Sequence, residues 1–331
     1  MIEGKIAPPT ENAFLFESLV EDYGYYKSMA KIHKDTKGLV EEFLKVREIS
    51  VNNMSLEKRT TNYKKILKNV LSTNIGCSSR DRHNVANNYF IRDYYENPVY
   101  YGIHLLNFGK EEFVKENVVF EGKEKLENAL KKNGNVILNG FHMDLYQILL
   151  NYIAKEFGNH TFALYAGEQP LTLVKKIQDI YMPEINNIEY RYVDDMDDKP
   201  FPLITKELFK DARKGNVVCI LPEVSLGLGP SDYMELLGVK VLLPHGSSTI
   251  SHKYNIPIVP VYNVRTEGVK IKIIFEDPIY PSGVYNKENI QNQTREVFEV
   301  IEKAVSKYPH TWSGYDVFDY LTQGVYRSDY S

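Results

Sequence analysis

The stretch Gly134-Asn135-Val136-Ile137-Leu138-Asn139-Gly140-Phe141-His142-Met143-Asp144-Leu145-Tyr146-Gln147 decides how the chain is read. Val136, Ile137 and Leu138 form a short apolar run bounded by Asn and Gly, the pattern of a buried strand. Asn139-Gly140 predicts a tight turn. Leu145, Ile148, Leu149, Tyr152 and Ile153 recur at three and four residues, so the spacing predicts a helix with His142 at its mouth. A histidine at the end of a central strand stands where open α/β sheets place ligands and chemistry. A lone histidine also suits a purely structural place, so the weight falls on what else converges there.

Outward from this stretch the two sides of the chain differ. Downstream, strand and helix patterns alternate. The strands are Thr161–Tyr165, Ile188–Val193, Val217–Leu221, Ile256–Tyr262 and Val269–Phe275. Helices are expected over Leu171–Tyr181, Leu203–Arg213, Gly246–Tyr254 and Glu288–Tyr308. Alternation of this kind predicts an α/β fold, a mostly parallel central sheet flanked by helices. Upstream, Leu39, Val40, Phe43, Leu44 and Val46 mark one amphipathic helix, and Tyr63, Ile66, Leu67, Val70 and Leu71 another. Residues 1–110 therefore read as a helical amino-terminal subdomain packed on an α/β domain over 111–331. Val118–Phe120 is a short strand, and Gly122–Lys132 a charged helix stopped by Asn133-Gly134, a fitting C-cap. Tyr23, Tyr25, Tyr26, Tyr89, Tyr94, Tyr95, Tyr100 and Tyr101 either line a groove or edge the core.

Composition narrows the class. With 43% hydrophobic and 25% charged residues over 331 positions, the chain is an ordinary globular protein with ample core. A net charge of −4 gives no field for nucleic acid or an anionic membrane. Cys77 and Cys219 make no disulfide framework, and Cys219 lies in an apolar strand as a reduced thiol. No window reaches the roughly 18 apolar residues of a membrane helix, and Met1–Lys5 lacks a signal-peptide core. The expectation is a cytoplasmic protein, at most peripheral to a membrane. Asp194, Asp195, Asp197 and Asp198 read as a solvated loop rather than a cation site, so no metal is expected. Past Val217–Leu221 comes Pro222-Glu223-Val224-Ser225-Leu226-Gly227-Leu228-Gly229-Pro230, a glycine-rich loop matching no nucleotide fingerprint.

Several blocks then agree in order and spacing with one family. Phe120-Glu121-Gly122 to Leu126, Ala129-Leu130, Asn135–Leu138 and His142 come first. Leu221-Pro222-Glu223, Leu236-Leu237-Gly238-Val239, Ile256–Val261, and Ile301-Glu302, Tyr308-Pro309 and Trp312 follow. Together, over residues 85–315, they resemble the lysophospholipid acyltransferase superfamily, most of all its bacterial lipid A late-acyltransferase (lauroyl or myristoyl) branch. The resemblance implies acyl transfer from a thioester, on acyl carrier protein or coenzyme A, to a hydroxyl or amine. It implies no tightly bound cofactor and no acyl-enzyme. His142 corresponds to the family's histidine, which deprotonates the acceptor; a hydroxyl is too weak an acid to attack unaided. A carboxylate on the far imidazole nitrogen fixes the tautomer, as in the serine-protease triad, and backbone amides near the helix start would hold the oxyanion.

The sequence departs from that pattern where the family has His, four residues, then Asp or Glu. The fifth residue after His142 is Gln147. Gln147 through its amide oxygen, Asp144 two residues on, and Glu223 at the neighbouring strand's end are the three candidates to support the histidine. The alternative is a decayed dyad, an acyl-binding or scaffold protein. Val224–Gly227 replaces the superfamily's Gly-Thr-Arg-Ser, which disfavours a glycerol-phosphate acceptor. A lipid, a small molecule or a carrier-tethered peptide or polyketide intermediate is left as acceptor. Ser225, Gly227, Gly229 and Tyr165 are expected to border the pocket, and Arg265 either holds an anionic group or is an exposed strand-end arginine. An α/β hydrolase is disfavoured because no Gly-X-Ser-X-Gly elbow occurs.

Overall fold

The computed structural model describes residues 19–20, 23–33, 35–76, 78–166, 168–192, 210–211, 214–223 and 230–323. Helices come first: α1 (Tyr23–Ile32), α2 (Thr36–Asn53), α3 (Leu56–Ser72), α4 (Ser79–Ile91), a π-helical turn (Arg92–Glu96), α5 (Asn97–Asn107) and α6 (Glu111–Asn117). Then come β1 (Val118–Glu121), α7 (Lys123–Asn133), β2 (Val136–Gly140), α8 (Tyr146–Glu156), β3 (Phe162–Ala166), α9 (Glu168–Tyr181), β4 (Ile188–Tyr192) and β5 (Val217–Ile220). The chain closes with a hairpin, β6 (Ser231–Leu236) and β7 (Val239–Pro244), α10 (Gly246–Tyr254), β8 (Ile258–Arg265), β9 (Ile271–Phe275), α11 (Lys287–Lys307) and α12 (Gly314–Gln323).

Seven strands form one sheet in the order β1-β9-β8-β2-β5-β3-β4. The run from β8 to β4 is parallel, β9 is antiparallel to β8, and β1 is parallel to β9. The reversal at β9 has a local cause: Thr266 donates to the Lys270 carbonyl at 2.8 Å, closing a short turn that permits only an antiparallel neighbour. The mostly parallel sheet flanked by helices is thus the observed architecture. β2 is its middle strand and is buried at all five positions. Leu138 and Val136 share one core with Leu126, Leu130, Ile148 and Tyr152, while Ile137 shares the other with Ile250, Phe298 and Ile301. Each such aliphatic side chain contributes about 1.5–3 kcal/mol through burial, so both faces hold β2 in register.

The structure corrects the reading of Asn139-Gly140, which continue β2 instead of turning. Asn139 pairs with Ile220 on one side and Pro260 on the other, and Gly140 with Val261. Two occupied edges outweigh the local turn preference. Gly140 serves close packing: a Cβ there would lie 3.0 Å from Leu221 Cδ2. The turn falls later, at residues 141–145, with Asp144 in left-handed backbone (φ 51°), and α8 begins only at Tyr146. The β6–β7 hairpin is likewise new, its turn formed by the Leu237-Gly238 pair. Of the eight tyrosines, Tyr26, Tyr89, Tyr100 and Tyr101 are buried and the others partly so, which makes them core-edge residues. Cys219 is a buried free thiol that burial pushes well up. Cys77, the four aspartates at 194–198 and most of the 203–213 helix lie outside the described residues.

The carboxyl-terminal helix returns to the amino-terminal ones. Asn69 donates to the Tyr315 carbonyl at 2.7 Å and the Tyr89 hydroxyl to Asp316 Oδ2 at 2.6 Å. Asp93, in the π-helical turn, is pushed up to about 8 by lost hydration and then by the Asp316 carboxylate, and Asp316 is raised by lost hydration. Both ordinarily titrate near 3.8. A carboxyl raised by folding binds its proton more tightly in the folded state. Its contribution is present below the unfolded value and is lost as pH rises through the folded one. The contribution of this pair is therefore expected to fall from about pH 4 to about pH 8; in urea melts across that window Asp316→Asn should lose less stability with rising pH than the parent chain.

Candidate active site

β2 and β5 are adjacent and parallel, with Asn139 opposite Ile220. His142 and Glu223 each lie three residues past that pair, so the register carries both to the carboxyl edge about 4.8 Å apart in strand spacing. There Glu223 Oε2 accepts hydrogen bonds from His142 Nδ1 at 2.7 Å and from the His142 backbone N–H at 2.8 Å. Its other oxygen accepts from Trp312 Nε1 at 2.6 Å. The Glu223 side chain is 2% exposed and that of His142 16%, so the carboxylate is sealed while the imidazole still meets solvent. Against an ionised carboxylate, which can only accept, a neutral ring places its hydrogen on Nδ1 and its lone pair on Nε2. Tyr146 stands edge-on to the imidazole, with centroids 4.6 Å apart.

Trp312 reaches Glu223 because the segment before α12 clasps the turn after β2. Asp144 donates its N–H to the Thr311 carbonyl at 2.7 Å, Ser313 donates to the His142 carbonyl at 2.8 Å, and Met143 bridges to Trp312. Gly314 lies flat on the indole, where a Cβ would come within 2.1 Å of ring carbons. Only glycine passes there without displacing the ring.

The other candidates are placed differently. Asp144 does not hold the imidazole. Its Oδ2 accepts from Arg92 Nη2 at 2.6 Å and from the Arg265 N–H at 2.5 Å, within a fully buried side chain. Left-handed backbone, which Asp tolerates, aims it there. Gln147 does not hold it either: its Oε1 is buried without a hydrogen-bond partner among the described residues, and its N–H donates to Tyr101 Oη at 3.2 Å. Asn263 spans Leu145, accepting from its N–H at 3.0 Å and donating to its carbonyl at 2.9 Å. The amides of Met143, Asp144, Leu145, Gln147 and Ile148 are thus all spent on protein acceptors, so the oxyanion hole expected near the helix start is not offered by them.

Arg265 is not an exposed strand end. Its side chain is 7% exposed, paired with Glu96 and laid over the Tyr100 ring at 3.9 Å. Tyr165, two strands from β2, gives its hydroxyl to Asp211 Oδ2 at 2.7 Å instead of facing the dyad. Ser225, Gly227 and Gly229 lie outside the described residues. No group of three His, Cys, Asp or Glu among the described residues is arranged to hold a metal. Sequence reasoning missed the roles of Arg92, Tyr101 and Asn263, which no local pattern marks. Trp312 was marked in the sequence: it is the sole tryptophan, three residues after Pro309 and just past a long helix, and it closes the family blocks.

A histidine at the carboxyl edge of a mostly parallel sheet, with a buried carboxylate on its Nδ1, has the form of a proton-transfer centre. A family model described as bacterial lipid A biosynthesis acyltransferase matches residues 59–313. That span is most of the chain, and the chain belongs to this family and is an acyltransferase. Among solved structures, the 1-acyl-sn-glycerophosphate (LPA) acyltransferase PlsC of Thermotoga maritima is similar at 17% identity. The match covers 75% of this chain and 97% of that one, with a TM-score of 0.35. No curated protein matches the sequence.

The clasp makes two expectations. Trp312→Phe keeps an aromatic ring, though a smaller one, but strips one oxygen of a buried carboxylate of its donor, a loss of about 1–3 kcal/mol in a urea melt. Gly314→Ala pushes the indole aside and should lower stability and the transfer rate together. Unchanged melts in both variants would mean that the Trp312 bond does not hold Glu223.

Proposed function

We propose that the chain moves an acyl group from a carrier thioester, on acyl carrier protein or coenzyme A, directly to a hydroxyl or amine acceptor, with His142 as general base. The observation that carries this reading is the 2.7 Å bond from His142 Nδ1 to Glu223. It supplies the carboxylate that position 147 lacks, and it argues against a decayed dyad. In the proposed step His142 Nε2 takes the acceptor's proton as the acceptor oxygen or nitrogen attacks the thioester carbon. Glu223 holds the tautomer and stabilises the imidazolium. The tetrahedral intermediate then breaks its C–S bond, and the thiolate leaves with the proton from Nε2. No cofactor is needed beyond the thioester itself.

Acyl carrier protein is the preferred donor because the family resemblance implies it. The glycine-rich sequence that follows Glu223, including Ser225, Gly227 and Gly229, is proposed to border the pocket because it comes directly after Glu223 in the chain. The acceptor is a lipid, a small molecule or a carrier-tethered intermediate, and the Val224–Gly227 sequence speaks against glycerol phosphate. Among the described residues no helix is long and apolar enough to cross a membrane. A cytoplasmic protein, meeting any lipid at the membrane surface, is the location we propose.

The test is free-thiol release from acyl-carrier and acyl-CoA donors, with and without a panel of acceptors. His142→Ala should lower the acceptor-dependent rate by about 10²–10⁴. Glu223→Gln should fall in the same range, because the amide no longer stabilises the imidazolium. Gln147→Ala should lose less than about tenfold, since Gln147 makes no side-chain bond to the dyad. Full acceptor-dependent release by His142→Ala would overturn the reading; thiol release without any acceptor would revive hydrolysis.

A further inference from the structure

A polar cavity of about 200 Å³ opens at Arg92, whose guanidinium holds Asp144 in the turn after β2. Asn88, Ile91, Arg92, Glu96 and His310 line it. The volume is below the roughly 300–1,000 Å³ of drug-sized sites, so it takes only a small molecule or a headgroup. Arg92 and Glu96 bound the π-helical turn, whose Asn97 N–H reaches the Arg92 carbonyl. Turns of this type are frequent at functional sites, and here the turn brings a guanidinium and a carboxylate to one cavity.

The charges around the cavity cancel. Arg92 pairs with Asp144 and Arg265 with Glu96, two cations against two carboxylates. A ligand of net charge would find no field to draw it in. Yet polar groups remain unspent among the described residues. Glu96 binds Arg265 through Oε2 alone, Arg92 engages Asp144 and the Arg265 carbonyl through Nη2 alone, and the side chains of Asn88 and His310 make no hydrogen bond. Burial, then the neighbouring Arg92, holds His310 below its ordinary value, so it faces the cavity neutral at pH 7.

From this arrangement we propose that the cavity binds a small zwitterion, a primary ammonium beside a carboxylate or phosphate diester. The ammonium would meet the free oxygen of Glu96, and the anionic end would meet Arg92, Asn88 and His310. Charge-assisted bonds at both ends reward a ligand that carries both signs. The site adjoins the dyad along the chain on two sides: Arg92 holds Asp144, two residues past His142, and His310 stands two residues before Trp312. The proposal does not depend on acyl transfer, because it concerns binding in the absence of a donor.

Calorimetric titration of the full chain tests it, with glycine and glycerophosphoethanolamine as zwitterions and acetate, dimethyl phosphate and ethanolamine as single-charge probes. At least one zwitterion should bind about tenfold more tightly than every single-charge probe. Glycine against glycerophosphoethanolamine tells a carboxylate from a phosphate-diester source. Glu96→Gln and His310→Ala should each weaken that binding by about tenfold. Asn88→Ala, at an exposed position, should weaken it in the same direction without loss of folding should either of the others melt early. No zwitterion binding, equal affinity for the single-charge probes, or binding indifferent to the folded variants would overturn the proposal.

Discussion

A buried carboxylate must be satisfied on both oxygens or it destabilises the fold that contains it. Glu223 meets that demand with three donors from two places far apart in the chain: the ring and backbone of His142, and the indole of Trp312. The strand register supplies the first place, since β2 and β5 run side by side and His142 and Glu223 leave them at the same height. The clasp by Thr311–Ser313 supplies the second. Fold and site are therefore linked: the sheet brings the two side chains together, and the carboxyl-terminal segment satisfies the second carboxylate oxygen.

A second buried ion pair does the complementary work. Asp144 is fixed by Arg92 and the Arg265 amide, and its backbone is held by Thr311 and Tyr101. It fixes the turn next to His142 and leaves the contact with the imidazole to Glu223. This division explains why a glutamine is compatible with position 147. The carboxylate arrives from the neighbouring strand, so the helix need not supply one.

Much of the fold was legible because it rests on period and punctuation. The alternation after Val136, the C-cap at Gly134 and the long apolar stripe of α11 each depend on residues close in sequence. What escaped depends on partners distant in sequence. Asn139-Gly140 has the dipeptide of a turn, yet both edges of β2 are taken, and pairing with β5 and β8 carries the strand through it. His142 and Glu223 were both visible as candidates, but choosing Glu223 over Asp144 and Gln147 requires the strand order, which no local pattern encodes. Arg265 was open between two roles for the same reason, because Glu96 and Tyr100 reach it from helices that precede the sheet.

The central claim is that Glu223 fixes the His142 tautomer with the proton on Nδ1 and the lone pair on Nε2. A long-range proton–nitrogen correlation spectrum of protein labelled in its histidines reads this directly, with His142 assigned by its loss in His142→Ala. The account predicts a protonated Nδ1 and an unprotonated Nε2 at neutral pH, a pattern lost in Glu223→Gln. An Nε2-protonated ring, or a spectrum indifferent to Glu223→Gln, would contradict it.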